Sequence, residues 1–306
     1  MAAVINGAQP YVPSPRYTLN LLQTYVREIE REGGFVEGDE FNMLLFRTLQ
    51  LVKGTTEADP LLLQYLSFSL GVGVHPLAVR VGPFHNDVGL RMWEAGYLLA
   101  EFLIKNPSVV ANKRVVELGA GVGLTGIAVQ GLCGGCKSIT LTDYTDVTIA
   151  NMNHNVSLNA NWIQENCPGA PLPEVAHLDW EEIGCSKSIA GCSSLSSGDL
   201  LLAADVVYDV SVIPHLVKVV KLFLLSAAGK LAIFATTFRN EKTFTLFITC
   251  LEKEGVQYQE MKDFQYDALF DTFWKQKRDE VRLHTFSIGS SETARCTQHA
   301  TKVVQK

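Results

Sequence analysis

The chain has 306 residues, 47% of them hydrophobic and 19% charged, a balance expected of a globular enzyme in water. A net charge of −6 gives no general attraction to nucleic acid, so direct nucleic-acid binding is not expected. No apolar run reaches the roughly 18 residues that a membrane-crossing helix needs, so no membrane association is expected either.

Residues 1–88 read as an N-terminal helical region. Leu21, Tyr25 and Ile29 recur at near-helical spacing, Leu44, Leu45, Leu49 and Val52 repeat the pattern, and residues 60–70 suggest a third helix. The opening prolines, Pro10, Pro13 and Pro15, do not suit a secretory leader. From Gly89 the patterns alternate. A β-branched run at residues 114–118 ends in glycines and is followed by a helical stretch at 124–132. A second strand at 138–143 precedes a helix at 146–159. Three further strands are expected at 174–179, 199–205 and 230–236. Helices at 212–226 and 241–254 separate the last elements, and strands at 256–261 and 281–288 close the sheet as a final pair. Repeated β-then-α units predict an α/β fold with a mostly parallel, doubly wound sheet over residues 89–289. Residues 185–198 read as a Ser/Gly-rich surface loop, and residues 290–306 as a disordered tail.

Ligands of such sheets lie at the carboxyl ends of the strands, where the winding reverses. Glu117-Leu-Gly-Ala-Gly-Val-Gly123 falls at one such end, where Gly119 and Gly121 let a ligand approach bare main chain. Leu124 stands where a dinucleotide fingerprint has its third glycine, which argues against a nicotinamide cofactor. The carboxylate of Glu117 would repel a phosphate but suits a ligand with an amino group and a sulfonium, as in S-adenosylmethionine. Asp143, at the end of the second strand, can accept from both ribose hydroxyls; its alternative role, capping the next helix, is open to Asp146. Asp179 and Trp180, at the end of the third strand, offer edge hydrogen bonds and a stacking face to adenine, although Trp180 taken alone could be plain core.

The residues Trp93-Glu-Ala-Gly96, the glycine loop, Leu178-Asp-Trp180 and Ala204-Asp-Val-Val-Tyr208 occur in the order found in class I protein-lysine methyltransferases with an Asp-x-x-Tyr motif, and this sequence resembles that family. The resemblance runs from Gly89 to Ile288. It implies a Rossmann-like seven-stranded S-adenosylmethionine-dependent fold behind an N-terminal helical extension. It also implies a protein acceptor, with elongation factor 2 the expected one. Trp93 would approach the cofactor, Gly119, Ala120 and Gly121 would lie along its methionine part, Asp143 at the ribose, Trp180 on the adenine and Ala204 beside it. Asp205 and Tyr208 would face the reacting amine. A free lysine, with a pKa of about 10.4, is mostly protonated at neutral pH, so the site must help it shed a proton. Asp205 could orient the amine, but a carboxylate beside a lysine also stabilises its charged form, and a base role does not follow.

Arg239, in Thr236-Thr-Phe-Arg-Asn240, falls on the substrate side by the same resemblance, or else is a surface charge. No metal site is expected: Cys133-Gly-Gly-Cys136 lacks a second pair, and the seven histidines show no ligand spacing. Seven cysteines, an odd number, suit free thiols in a reducing compartment, so a cytoplasmic location is expected, with the nucleus as the alternative. Separately, the chain is expected to be a monomer. A methyltransferase for RNA or a small molecule, and a scaffold without turnover, are the alternatives. The first lacks the prolines of an Asn/Asp-Pro-Pro-Tyr motif, and the second is disfavoured by the intact glycine loop, Asp143 and Asp205.

Overall fold

The computed structural model describes residues 15–31, 64–82, 88–185, 192–262, 269–270 and 278–289. The chain divides into two compact units, residues 1–66 with 80–87 and residues 67–79 with 88–306. In the first, α1 (Pro15–Arg31) is the helix read from the apolar spacing, with Leu22 buried. The second helix expected there lies outside the described residues. The third is corrected: Gln64–Phe68 is a strand (β1), as is Leu77–Val81 (β2), and both lie outside the large sheet. A short apolar run fits either period, and pairing between residues 64–68 and 77–81 makes this one a strand.

The second unit carries α2 (Glu94–Lys105), β3 (Arg114–Leu118), α3 (Leu124–Leu132), β4 (Ser138–Asp143), α4 (Asp146–Leu158), α5 (Ala160–Asn166), β5 (Glu174–His177), α6 (Trp180–Cys185), α7 (Ser193–Ser197), β6 (Leu200–Ala204), α8 (Ile213–Leu225), β7 (Leu231–Thr237), α9 (Glu241–Lys253), β8 (Val256–Met261) and β9 (Val281–Ile288). Seven strands form one sheet in the order β5-β4-β3-β6-β7-β9-β8. The first five are parallel; β9 runs antiparallel to both its neighbours. The last strand in sequence therefore inserts between β7 and β8. Residues 193–197, expected in a loop, form a single helical turn because Leu195 is fully buried in the core.

Strand alternation decides which side chain meets which layer. Val116 and Leu118 of β3 and Leu201 and Ala203 of β6 join a core with Leu216, Val220 and Phe223 of α8 and Phe247 of α9. Glu117 points to the other layer, with Ile139 and Leu141, where all three close on Gly126 of α3. With both faces covered, β6 reads Leu-Leu-Leu-Ala-Ala without polar alternation.

Residues 67–79 are tied into this unit by side-chain amides and an indole. Asn159 holds Ala78 through both its main-chain groups, at 2.9 Å and 2.6 Å, and Trp162 Nε1 donates to the Leu70 carbonyl at 3.0 Å. The indole of Trp162, 1% exposed, fits against α3 because residue 131 is glycine. Among the described residues no helix is long and apolar enough to cross a membrane.

Candidate cofactor and acceptor site

Because β3 pairs with β4 on one side and β6 on the other, the winding reverses at β3. The carboxyl ends of these three strands bring the glycine loop, Asp143 and Asp205 to one edge of the sheet. Gly119, Gly121 and Gly123 have φ of 58°, 56° and 81°, the left-handed region that glycine enters without steric cost. The loop is pinned to β4 at two points: Ala120 N donates to Thr142 O at 2.9 Å, and Gly121 N to Asp143 Oδ2 at 3.1 Å. A Cβ on Gly121 would stand 3.1 Å from the Gly89 carbonyl oxygen, and one on Gly119 would stand 3.0 Å from Val206 and 3.4 Å from the Trp180 indole. The loop is thus a bare main-chain cradle that side chains would fill.

Asp143 is 8% exposed and does not cap α4. Thr145 does so, its hydroxyl accepting from Thr148 N at 3.1 Å; Asp146, the cap suggested by sequence, lies in the first turn instead. Asp143 Oδ1 accepts from Tyr144 N at 2.8 Å. An ionised carboxylate has about four lone-pair sites, so gripping two amides is compatible with accepting from ribose hydroxyls. Trp180 is half-buried, packs against the core and brings its ring edge beside Gly119. Asp179 starts α6, with Oδ1 accepting from Glu181 N at 2.8 Å.

Glu117 lies beneath the loop. It is 2% exposed and faces α3, where Oε2 accepts from Gly126 N at 3.1 Å and the hydroxyl of Thr125, which donates to the Gly96 carbonyl at 3.4 Å, lies beside it. Burial pushes its carboxyl up to about 8, against the pull of the Thr125 hydroxyl and the Gly126 amide and with some help from the charge of Asp143. A neutral acid bonded to the first turn of α3 braces the loop from beneath. Alternation along β3 turns its side chain to the α3 layer.

Asp205 follows β6 with φ of 54°, rare outside glycine. Its side chain is 5% exposed. Oδ1 accepts from Thr237 N at 2.8 Å, and Oδ2 accepts from the Thr237 hydroxyl at 2.8 Å and from Ala95 N at 3.4 Å. Ala204 pairs with Ala235 in the preceding register, which delivers Asp205 to the end of β7. Val206 and Val207 plug into the core, whereas Tyr208 is 56% exposed. Tyr208 is therefore no core residue.

Trp93 precedes α2 in extended conformation and donates from Nε1 to the Val88 carbonyl at 3.1 Å. Arg91 and Arg239 lie over its ring, 4.7 Å and 4.9 Å from the centroid. Arg239 also pairs with Glu94 and, at 3.5 Å, with Asp205. Sequence reading assigned no role to Glu94 or Thr237, although both stood in the quoted segments; a residue beside a functional one in a short motif was the available signal. Among the described residues no group of His, Cys, Asp and Glu could hold a metal ion.

A glycine cradle at the reversal point of this sheet, an acidic residue closing β4 and an aromatic face beside the cradle fit S-adenosylmethionine, and define an S-adenosylmethionine-dependent methyltransferase fold. The chain belongs to the lysine methyltransferase family, whose profile matches residues 81–254. The protein-lysine N-methyltransferase EEF2KMT of Mus musculus is 33% identical over 184 residues, 58% of this chain and 52% of that protein. EFM3 of Chaetomium thermophilum, a protein-lysine N-methyltransferase, is 29% identical over 170 residues, 55% and 48% of the two chains. The chain spans about half the length of the first curated relatives that it matches. The solved complex of SMU.776 with SAH overlaps 92% of this chain and 83% of its own at 14% identity and a TM-score of 0.46, a likeness that carries no argument about the site.

Proposed function

We propose that this protein transfers a methyl group from S-adenosylmethionine to the side-chain nitrogen of a lysine in another protein, and that elongation factor 2 is that protein. The observation that carries the lysine reading is Asp205: a carboxylate 5% exposed, fixed by three neutral donors, at the edge of the sheet that carries the glycine cradle. The name of the mouse relative, EEF2KMT, supports the choice of acceptor.

When bound, S-adenosylmethionine supplies a methyl carbon already activated by its sulfonium. Alignment is what remains for the chain to provide. On this reading Gly119, Ala120 and Gly121 hold the methionine part, Asp143 the ribose, and Trp180 with Asp179 the adenine. Ala204 and Trp93 complete the wall. The aromatic faces tolerate positive charge through their quadrupoles. Asp205 accepts a hydrogen bond from the acceptor nitrogen and directs its lone pair, while Tyr208 walls the approach. The free thiols of Cys133, Cys136, Cys167, Cys192 and Cys250 support action in a reducing compartment such as the cytoplasm.

The test is incubation of the purified chain with methyl-labelled S-adenosylmethionine, first in a eukaryotic lysate and then with purified elongation factor 2. Label on lysine in that factor is the expected result. Label in RNA or small molecules, with none in protein, would sink the reading.

A further inference from the structure

Asp205 poses an electrostatic problem for the reaction. A carboxylate that orients an amine also attracts its protonated form, and an ammonium has no lone pair with which to attack. Left unopposed, Asp205 would hold its acceptor in the unreactive state. Thr237 N–H, the Thr237 hydroxyl and Ala95 N–H all donate to the carboxylate, but none brings a full charge. Arg239 does, with Nη2 3.5 Å from Oδ2.

The guanidinium is held there by more than Asp205. Glu94, from the first turn of α2, pairs with the same nitrogen, and the Trp93 ring lies beneath at 4.9 Å. Arg91, 4.7 Å from that ring, is the second cation of the group. Among the described residues, the charged groups seen around Asp205 are Arg239, just past β7, Glu94 from α2 and, by way of Trp93, Arg91.

We propose that Arg239 is a positioning residue of the transfer: its guanidinium offsets the charge of Asp205, so that the carboxylate orients the acceptor amine without fixing it as the ammonium. The proposal rests on the reading of Asp205 as the partner of the amine. Arg239 touches neither methyl nor lysine in this role; it acts through Asp205. Its side chain is 40% exposed, so its replacement opens no core cavity.

The experiment uses the full chain and two probes of equal length, n-butylamine, cationic at neutral pH, and 1-butanol, uncharged. Binding of S-adenosylhomocysteine is measured first by calorimetry. Its failure in the native chain sinks the methyltransferase reading, and the proposal falls with it. With S-adenosylhomocysteine bound, Arg239→Gln is expected to bind n-butylammonium about tenfold more tightly than the native chain. Arg239→Gln in a Glu94→Gln background should keep that gain, since the charge at issue is that of Asp205 and not the Glu94 carboxylate released with it. Arg239→Lys should restore the native affinity, and 1-butanol should bind all three chains alike. Adding Asp205→Asn to Arg239→Gln should abolish the gain. If Arg239→Gln binds n-butylammonium no more tightly, the guanidinium does not offset Asp205. If 1-butanol gains equally, Arg239 is only an obstruction. Either result overturns the proposal, and a purely structural role for Arg239 predicts no difference between the two probes.

Discussion

Asp205 and Thr237 grip each other at two points: the Thr237 N–H meets Oδ1 and its hydroxyl meets Oδ2, each at 2.8 Å. The grip holds a non-glycine residue at φ of 54°, a conformation that costs on the order of 1–3 kcal/mol. Relaxing Asp205 to an extended conformation would carry its carboxylate away from Thr237, Ala95 and Arg239 together. The strain and the position of the carboxylate are therefore one feature.

Thr237→Val keeps the shape of the side chain and removes the hydroxyl, leaving Asp205 Oδ2 short of a buried donor. A loss of about 1–3 kcal/mol of stability is expected, with turnover reduced and cofactor affinity kept. Urea denaturation reads the first, and single-turnover methylation with S-adenosylhomocysteine calorimetry the other two. Thr237→Ser should recover most of both losses. Full turnover in Asp205→Ala would refute the role given to Asp205.

Gly121→Ala places a methyl 3.1 Å from the Gly89 carbonyl oxygen at a φ of 56°. Backbone, not a flexible side chain, is what it meets. A penalty of roughly 1–3 kcal/mol is expected, some of it taken as a shifted loop, so S-adenosylhomocysteine affinity should fall by up to the same free energy, about 5- to 150-fold. Native affinity in this variant would remove the loop from the cofactor site.

Trp180→Ala removes the indole edge that lies beside Gly119. If the ring also faces adenine, the variant should lose about 1 kcal/mol or more of cofactor binding, in line with an aromatic stacking pair, while Trp180→Phe loses less. Calorimetry with adenosine and with S-adenosylhomocysteine separates the adenine contact from effects elsewhere: both ligands should weaken by the same factor.

Glu117 makes stability fall with rising pH. Its carboxyl is pushed up to about 8 by burial, whereas in the unfolded chain it titrates near about 4.3. Between those values the folded state keeps a proton that the unfolded state has released, so each step up in pH favours unfolding. Below the window there is no penalty; above it the penalty is complete. Glu117→Gln keeps an acceptor for Gly126 but cannot ionise. It should melt near the native temperature at about pH 4 and above it at about pH 8.5, read by calorimetry. An equal shift at both values would mean that Glu117 does not titrate in that window.

Much of the fold was legible in local pattern. The bounds of β3, α3, β4, β8 and β9 were read to the residue, since β-branched runs ending in glycine and helical spacing are properties of neighbouring residues. Local pattern failed where a tertiary partner decides. Residues 64–68 carry apolar spacing that suits a helix as well as a strand, and they are a strand; Leu195 turned a Ser-rich loop into a helical turn by burying itself. The position of β9 inside β8 was likewise invisible, because pairing order is a property of the whole sheet.

Local residue pattern places a glycine loop, Asp143 and an Asp205-Val-Val-Tyr208 segment at strand ends, and so fixes the class of ligand. Tertiary structure alone decided what their side chains do. The direction of a side chain on a strand depends on which layer covers each face, and that sent Glu117 to α3 and Val206 and Val207 into the core. The partners of Asp205 are 32 residues away at Thr237 and 110 away at Ala95. No local propensity encodes such a meeting; it exists once β6 and β7 are paired and α2 is docked against them, and with it comes the guanidinium of Arg239.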